Sequence, residues 1–328
     1  MALFSNIRFY QVHSPWPSSE ETLHDALANQ PFKPCGSLTE RSSGWEPPAG
    51  EGQQSLCRRV GGADLLRLRS QVRLLPPAAI KEALEDRVQE FAGRMGRTPN
   101  RKEKRDLKDD LYHELLPQAL VKSDRLYGFY LHNEAILAVD TASDKDAERF
   151  IDLLREAFGS LLVTPLGFNT PIGEFMTSAY LGSNPTNFAI GREARMQDTG
   201  NARTSVQWTD FDIADDAVRK HIRSGLQLER LALEFDGALS CVVDRDGVFR
   251  KLKLLGIERL DEPLGEDILV LNPGSEPVDE AAAESALARL DAEFVLFSGI
   301  LARMLQALKR LLAGYAEVTP DGGRAVSA

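Results

Sequence analysis

Cysteine is nearly missing from this chain. Its 328 residues include three, Cys35, Cys57 and Cys241, and no two form a C-x-x-C pair. Neither a disulfide framework nor a cysteine zinc knuckle is expected, and a reducing compartment suits such a chain. Histidine is also sparse. His13, His24, His113, His132 and His221 fall at neither H-E-x-x-H nor H-x-H spacing, so a zinc site lacks ligands. Long apolar runs are absent too: the best stretch, 294–312, is broken by Arg303, Gln306, Lys309 and Arg310, which excludes it as a membrane span. The opening MALFSNIRFY has no basic leader followed by an apolar core, so no secretory signal is expected. There is no G-x-x-x-x-G-K-[ST] loop, no G-x-G-x-x-G after a strand and no G-x-S-x-G elbow. P-loop ATPase, nicotinamide and α/β-hydrolase chemistry are therefore unsupported, and neither cofactor nor metal is expected. The pairs Asp109-Asp110 and Asp215-Asp216 lie in or at the start of helices, where surface charge and the helix dipole account for them. A nuclease built from dispersed carboxylates stays open, because such sites are not local in sequence.

What is present is an uneven distribution of charge. Lys plus Arg total 39 and Asp plus Glu 49, a formal net charge of −10. That argues against a uniformly basic nucleic-acid protein but leaves local patches free. Residues 258–293 hold eleven acids against Arg259 and Arg289, so the remainder is close to neutral. Residues 94–108 hold seven bases against Glu103 and Asp106, residues 58–73 five arginines against Asp64, and residues 245–253 four bases against Asp246. Each run alone fits either a solvated face or a polyanion-binding surface.

Periodicity gives the class. Residues 2–12 read as a first strand and 19–29 as a short helix capped by Ser18 or Ser19. The segment PFKPCGSLTERSSGWEPPAGEG, rich in proline and glycine around Trp45, reads as ordered but irregular. Residues 64–75 alternate strictly, with Leu66, Leu68, Val72 and Leu74 on one face and Arg67, Arg69, Gln71 and Arg73 on the other. Same-face neighbours on a strand stand roughly 6–7 Å apart, so the arginine row fits a phosphate-tracking surface or a solvated outer face. Pro76-Pro77 opens a helix with Ile80, Leu84, Val88, Phe91 and Met95 at helical spacing. Thr98 and Pro99 are the expected cap and first residue of a second helix, ending near Leu116. Its first half carries Arg101, Lys102, Lys104, Arg105 and Lys108, and its second half the apolar residues. The pair predicts a helical hairpin with a buried base and a projecting positive tip.

Further along come a β-hairpin over 124–141, a helix from Ser143 to Gly159, a strand at LLVTPL and a short helix near 171–181. Residues 182–204 are polar and read as an irregular domain junction. A helix over 215–226 precedes a three-stranded meander over 227–258, turning at Asp236-Gly237 and Asp246-Gly247, with Lys251 and Lys253 on one face. An amphipathic helix over 294–313 ends the fold. The prediction is α+β, with mixed antiparallel sheets, helices and the projecting hairpin. Its parts are 1–75 with 120–181, the basic hairpin 76–119, a C-terminal α+β region 205–313, and a disordered tail 314–328.

The string PFKPCGSLTERSSGWEPPAG closely resembles the FxPCGS…GWxPPxG segment of the recombination-associated RdgC family. LLPPAAIKEALEDRV, EKRDLKDDLYHELLPQAL, VDTASDKDAERFIDLLREAFGSL, HIRSGLQLERLALEF, GVFRKLKL and DAEFVLFSG follow in order and are similar to its later blocks. The resemblance spans essentially the whole chain. It departs over 182–212, which match poorly, and over 256–285, which are longer and richer in proline, glycine and acid.

The resemblance implies a bacterial, non-enzymatic protein that closes into a ring-shaped homodimer. Such a ring binds double-stranded DNA without sequence preference, binds single-stranded DNA too, and restrains RecA-promoted recombination. Its place would be cytoplasmic, on the nucleoid. Phosphate contact gives that kind of affinity. On this reading the candidate DNA contacts are Arg67, Arg69, Arg73, Lys81, Arg97, Arg101, Lys102, Lys104, Arg105, Lys108, Arg250, Lys251 and Lys253. A two-chain ring needs two isologous contacts. Leu120, Leu301, Leu305 and Leu308 are the candidates, the last three fitting an ordinary core stripe equally well. A metal-dependent nuclease and a protein–protein adaptor with a basic docking hairpin are the alternatives.

Overall fold

The computed structural model describes residues 4–50, 53–198, 200, 204–213, 215–256 and 280–317. They form two antiparallel sheets and seven α-helices. The first sheet contains β1 (Arg8–Val12), β2 (Arg41–Glu46), β3 (Cys57–Val60), β4 (Ala63–Leu74), β5 (Leu120–Leu131), β6 (Ile136–Val139) and β7 (Val163–Pro165). Its order is β2-β4-β5-β6-β1-β7, and β3 also pairs with the long β4. The second sheet contains β8 (Phe188–Asp198), β9 (Ser205–Trp208), β10 (Leu226–Phe235), β11 (Leu239–Asp244) and β12 (Phe249–Leu254), ordered β12-β11-β10-β8-β9. The helices are α1 (Glu20–Leu27), α2 (Pro77–Met95), α3 (Arg101–Leu115), α4 (Asp144–Phe158), α5 (Ile172–Tyr180), α6 (Asp216–Arg223) and α7 (Glu280–Leu311).

Period-two alternation gives the first sheet two buried faces. Leu66, Leu68, Tyr130, Leu137 and Val139 face α1 and α4, meeting Leu23, Leu27, Phe150 and Leu154. Gly128 lets α4 approach, since a Cβ there would run into the Phe150 ring. Phe9, Leu65, Phe129 and Ala138 face the other way, into a cluster shared with the second sheet, α5 and α7. Backbone hydrogen bonds join the sheets: Ile7 N donates to Phe249 O at 2.7 Å and Phe249 N to Ile7 O at 2.9 Å.

The apolar stripe of α7 closes this core. Phe4 stacks on Phe297 with centroids 4.9 Å apart. Phe294, Leu301, Leu305 and Leu308 are buried, each contributing about 1.5–3 kcal/mol over an exposed side chain. Leu301, Leu305 and Leu308 therefore pack within their own chain and present nothing to a second copy. Helical periodicity alone does not tell a chain's own core from a partner's surface.

Several local expectations change. The cap of α3 is Asn100, not Thr98: Asn100 Oδ1 accepts from Lys102 N and Glu103 N, both at 2.9 Å, and Glu103 accepts from Asn100 N at 2.8 Å. This reciprocal box satisfies more of the helix's free N–H groups than a threonine before Pro99 would. Residues 188–198, expected to be irregular, are β8, an interior strand. Two irregularities in its register with β10 break the alternation that would have revealed it. The segment around Trp45 contains β2, whose Gly44 leaves room for the Phe32 backbone to cross it. Tyr315, placed in the expected tail, bridges Phe168, and Ala316 N donates to Gly167 O at 2.9 Å. Residues 318–328 and most of the acidic 258–293 stretch lie outside the described residues.

Candidate nucleic-acid interface

The basic residues fall into three settings. The first is the hairpin. Helix α2 buries no residue and α3 buries only Leu111, so the two pack chiefly on each other. Over 76–119, nine Lys and Arg match nine Asp and Glu, yet residues 94–105 hold six bases and the single acid Glu103. The hairpin is thus polarised, with its positive charge at the tip. Arg97 donates from Nη1 and Nη2 to Glu103 at 2.8 and 2.6 Å and lies 5.5 Å over the Phe91 ring. The Arg97 guanidinium, helped by the Asn100 N–H, holds the Glu103 carboxyl down at about 2. Arg97 is therefore a staple between the helices, committed to Glu103. Arg105 approaches Asp109 at 3.9 Å and Lys81 approaches Glu85 at 3.8 Å, with all four exposed, pairs that contribute little. Arg101, Lys102, Lys104 and Lys108 are exposed and have no carboxylate partner among the described residues. Arg94, absent from the sequence candidates, shares that condition.

The arginine row of β4 is the second setting, and here the side chains are occupied. Arg67 is 1% exposed. Its Nε lies 2.9 Å from Glu46 Oε1, and its Nη1 donates to the Tyr127 hydroxyl at 3.1 Å. The same buried carboxylate takes Arg125 Nε at 2.9 Å and Arg69 Nη1 at 3.5 Å, while Arg69 also covers the Phe32 ring at 4.5 Å. Arg73 donates to the carbonyls of Gly36, Leu116, Pro117 and Ala119 at 3.1–3.3 Å. Cys35 N adds a 3.0 Å bond to Gln71 Oε1. The row seats the 32–36 segment and anchors the hairpin base. Arg67 and Arg73 are thereby removed from the set of available phosphate contacts.

The third setting is β12. Arg250 Nε donates to Asp244 Oδ2 at 3.1 Å, and Lys251 meets Glu193 at 2.6 Å. Lys251 sits at φ 52 where the β11–β12 register slips. Lys253, opposite Ser240, is exposed and has no partner among the described residues. Arg195 and Arg230, which face each other across β8 and β10, were invisible in sequence because register is a tertiary property.

Leu120 is 79% exposed and pairs in register with Leu74, itself exposed, beside exposed Val121. These residues end the β4–β5 ribbon next to the hairpin base. The thiols of Cys57 and Cys241 are pushed up to about 12 by burial and are unreactive at neutral pH. Among the described residues, no group of three or more His, Cys, Asp or Glu is placed to hold a metal, and no helix is long and apolar enough to cross a membrane.

A family model described as "Putative exonuclease, RdgC" matches residues 2–315. The chain belongs to the RdgC family. Relatives named recombination-associated protein RdgC include one from Shewanella baltica, 30% identical over 315 residues, 96% of this chain and 98% of that protein. One from Shewanella oneidensis gives the same identity and coverage. A third, from Pseudoalteromonas atlantica, is 29% identical over 305 residues, covering 93% of this chain and 96% of its own. The family match takes in the hairpin, both sheets and α7, so the candidate residues lie inside the matched range.

Proposed function

We propose that this chain binds DNA without sequence preference, encircles the duplex as a ring-shaped homodimer on the nucleoid, and restrains RecA-promoted recombination by occupying DNA. The observation that carries the reading is the hairpin tip, where Arg94, Arg101, Lys102, Lys104 and Lys108 are exposed and have no carboxylate partner among the described residues. Charge placed there adds nothing to the fold. It suits a polyanion, because each neutralised phosphate releases counterions whatever the base sequence. Five such contacts give a slope of log affinity against log salt of about −4 to −5. Single strands would bind too, with a shallower slope. Exposed Leu74, Leu120 and Val121 supply one contact of the ring, and the relatives' names tie the family to recombination.

The test is fluorescence anisotropy of random 30-base-pair duplexes across a salt series, beside a solution mass measurement. Sequence-independent, salt-sensitive binding by a dimer is expected, with slower release from closed circles than from linear fragments. Absent or salt-insensitive binding overturns the reading. The family description names a second one, exonuclease. Shortening of end-labelled duplex in magnesium or manganese would favour it.

A further inference from the structure

The outward face of the second sheet holds a charge arrangement that the fold does not explain. Ala194, Met196, Leu231, Cys241 and Val243 face the core. Alternation puts Arg195, Arg230 and Arg250 on the opposite face. Register sets Gln207, Arg195, Arg230 and Asp244 side by side across β9, β8, β10 and β11. Asp244 Oδ2 accepts from Arg230 Nε at 3.3 Å and from Arg250 Nε at 3.1 Å, so two guanidiniums share one carboxylate. Arg195 has no carboxylate partner among the described residues, and it stands directly opposite Arg230. Cross-strand partners hold their Cβ atoms about 4.5–5.5 Å apart, where like charges repel. Lys253, on the same face, adds another charge with no carboxylate partner among the described residues. Lys251 does not, since Glu193 takes it.

We propose that this face is a second phosphate-binding surface, in which Arg195 and Arg230 grip a backbone phosphodiester of duplex DNA between them. A phosphate between the two turns their repulsion into attraction, and guanidinium forks match its oxygens two at a time. Four adjacent strands span about 15 Å. Duplex DNA carries one charge per ~1.7 Å of axis, so the row faces several phosphates. The sheet is packed on its other side by α5 and α7, so this surface is rigid where the hairpin projects freely. The inference rests on the DNA-binding reading and adds a contact surface separate from the tip.

Arg195→Gln and Lys253→Gln, singly and together, test it against a tip variant in which Arg101, Lys102, Lys104 and Arg105 are reversed to Glu, with random 30-base-pair duplex as the probe. Each single change should flatten the salt slope by about 1, a loss of roughly eightfold at 0.1 M salt. The loss should add to that of the tip variant. Without DNA, Arg195→Gln should leave the unfolding temperature unchanged or raise it, because a repulsion is removed. An unchanged slope overturns the proposal while the tip variant still weakens binding, and so does a slope that falls only with the unfolding temperature. Wild-type protein that fails to bind duplex removes the DNA-binding reading itself.

Discussion

Arg67 and Arg101 belong to two arginine-rich regions close together in the chain, and the fold treats them oppositely. On β4 each guanidinium has an internal acceptor: Glu46 for Arg67 and Arg69, four carbonyls for Arg73. At the hairpin tip, Arg101, Lys102 and Lys104 have none among the described residues. The residue types are alike. What differs is the supply of oxygen atoms within reach, which is rich where a strand is crossed by a loop and poor where two helices leave the core. A basic row is therefore read as a binding surface only after its internal acceptors are known.

The contrast is broken most directly by charge. Reversing Arg101, Lys102, Lys104 and Arg105 to Glu should weaken all duplexes alike, about a thousandfold or more at 0.1 M salt, and leave thermal unfolding unchanged. Selective loss on some sequences, or lowered stability, would place these residues in base reading or in the fold. The opposite signature belongs to Glu46→Ala. It leaves Arg67 buried without its counter-charge, and breaking such a pair costs about 3–5 kcal/mol, read as a lower midpoint in chemical denaturation. The low end applies, because Arg69 and Arg125 reach solvent and relax. DNA affinity per folded molecule should hold.

Arg73 links the two regions, so its loss tests whether they are coupled. Arg73→Ala removes hydrogen bonds to the carbonyls closing α3 and should cost about 1–2 kcal/mol. Amide exchange should rise over 76–119 while the 64–68 amides stay protected. Uniform faster exchange across β4 would show instead that Arg73 supports the sheet rather than the hairpin.

Much of this was legible in the sequence. The helix caps at Ser19 and Ser143, the two Asp-Gly turns, the hairpin and its positive tip all follow from local rules that act over four or five residues. The failures share a cause. Whether Arg67 is free depends on Glu46, twenty-one positions away and brought beside it by strand pairing. The stripe of Leu301, Leu305 and Leu308 is apolar whichever surface covers it. Strand β8 hid because its bulges shift the phase of alternation, and Arg195 meets Arg230 only through register. Local chemistry is written in a short window, whereas the partner of a charged side chain is not.

The smallest expected effect concerns the single acid at the tip. Glu103 is held down at about 2 by Arg97 and the Asn100 N–H, against an ordinary 4.5. A depressed carboxyl supports the folded state fully above its unfolded value, and that support disappears as pH falls through the folded one. The staple between α2 and α3 should thus persist at pH 4 and fail near pH 2, seen as the midpoint of the Glu103 side-chain carboxyl shift by NMR. Glu103→Gln keeps an oxygen for the Asn100 N–H, so the cap survives, but it releases Arg97 from its ion pair. The tip then gains one net positive charge, and the salt slope should steepen by about 1, roughly eightfold tighter binding at 0.1 M. A carboxyl titrating at its ordinary value would mean that the Arg97 staple does not form. Arg97 would then already be open to a phosphate, and the same substitution would remove only the repulsion of the Glu103 carboxylate, so it would tighten binding by less.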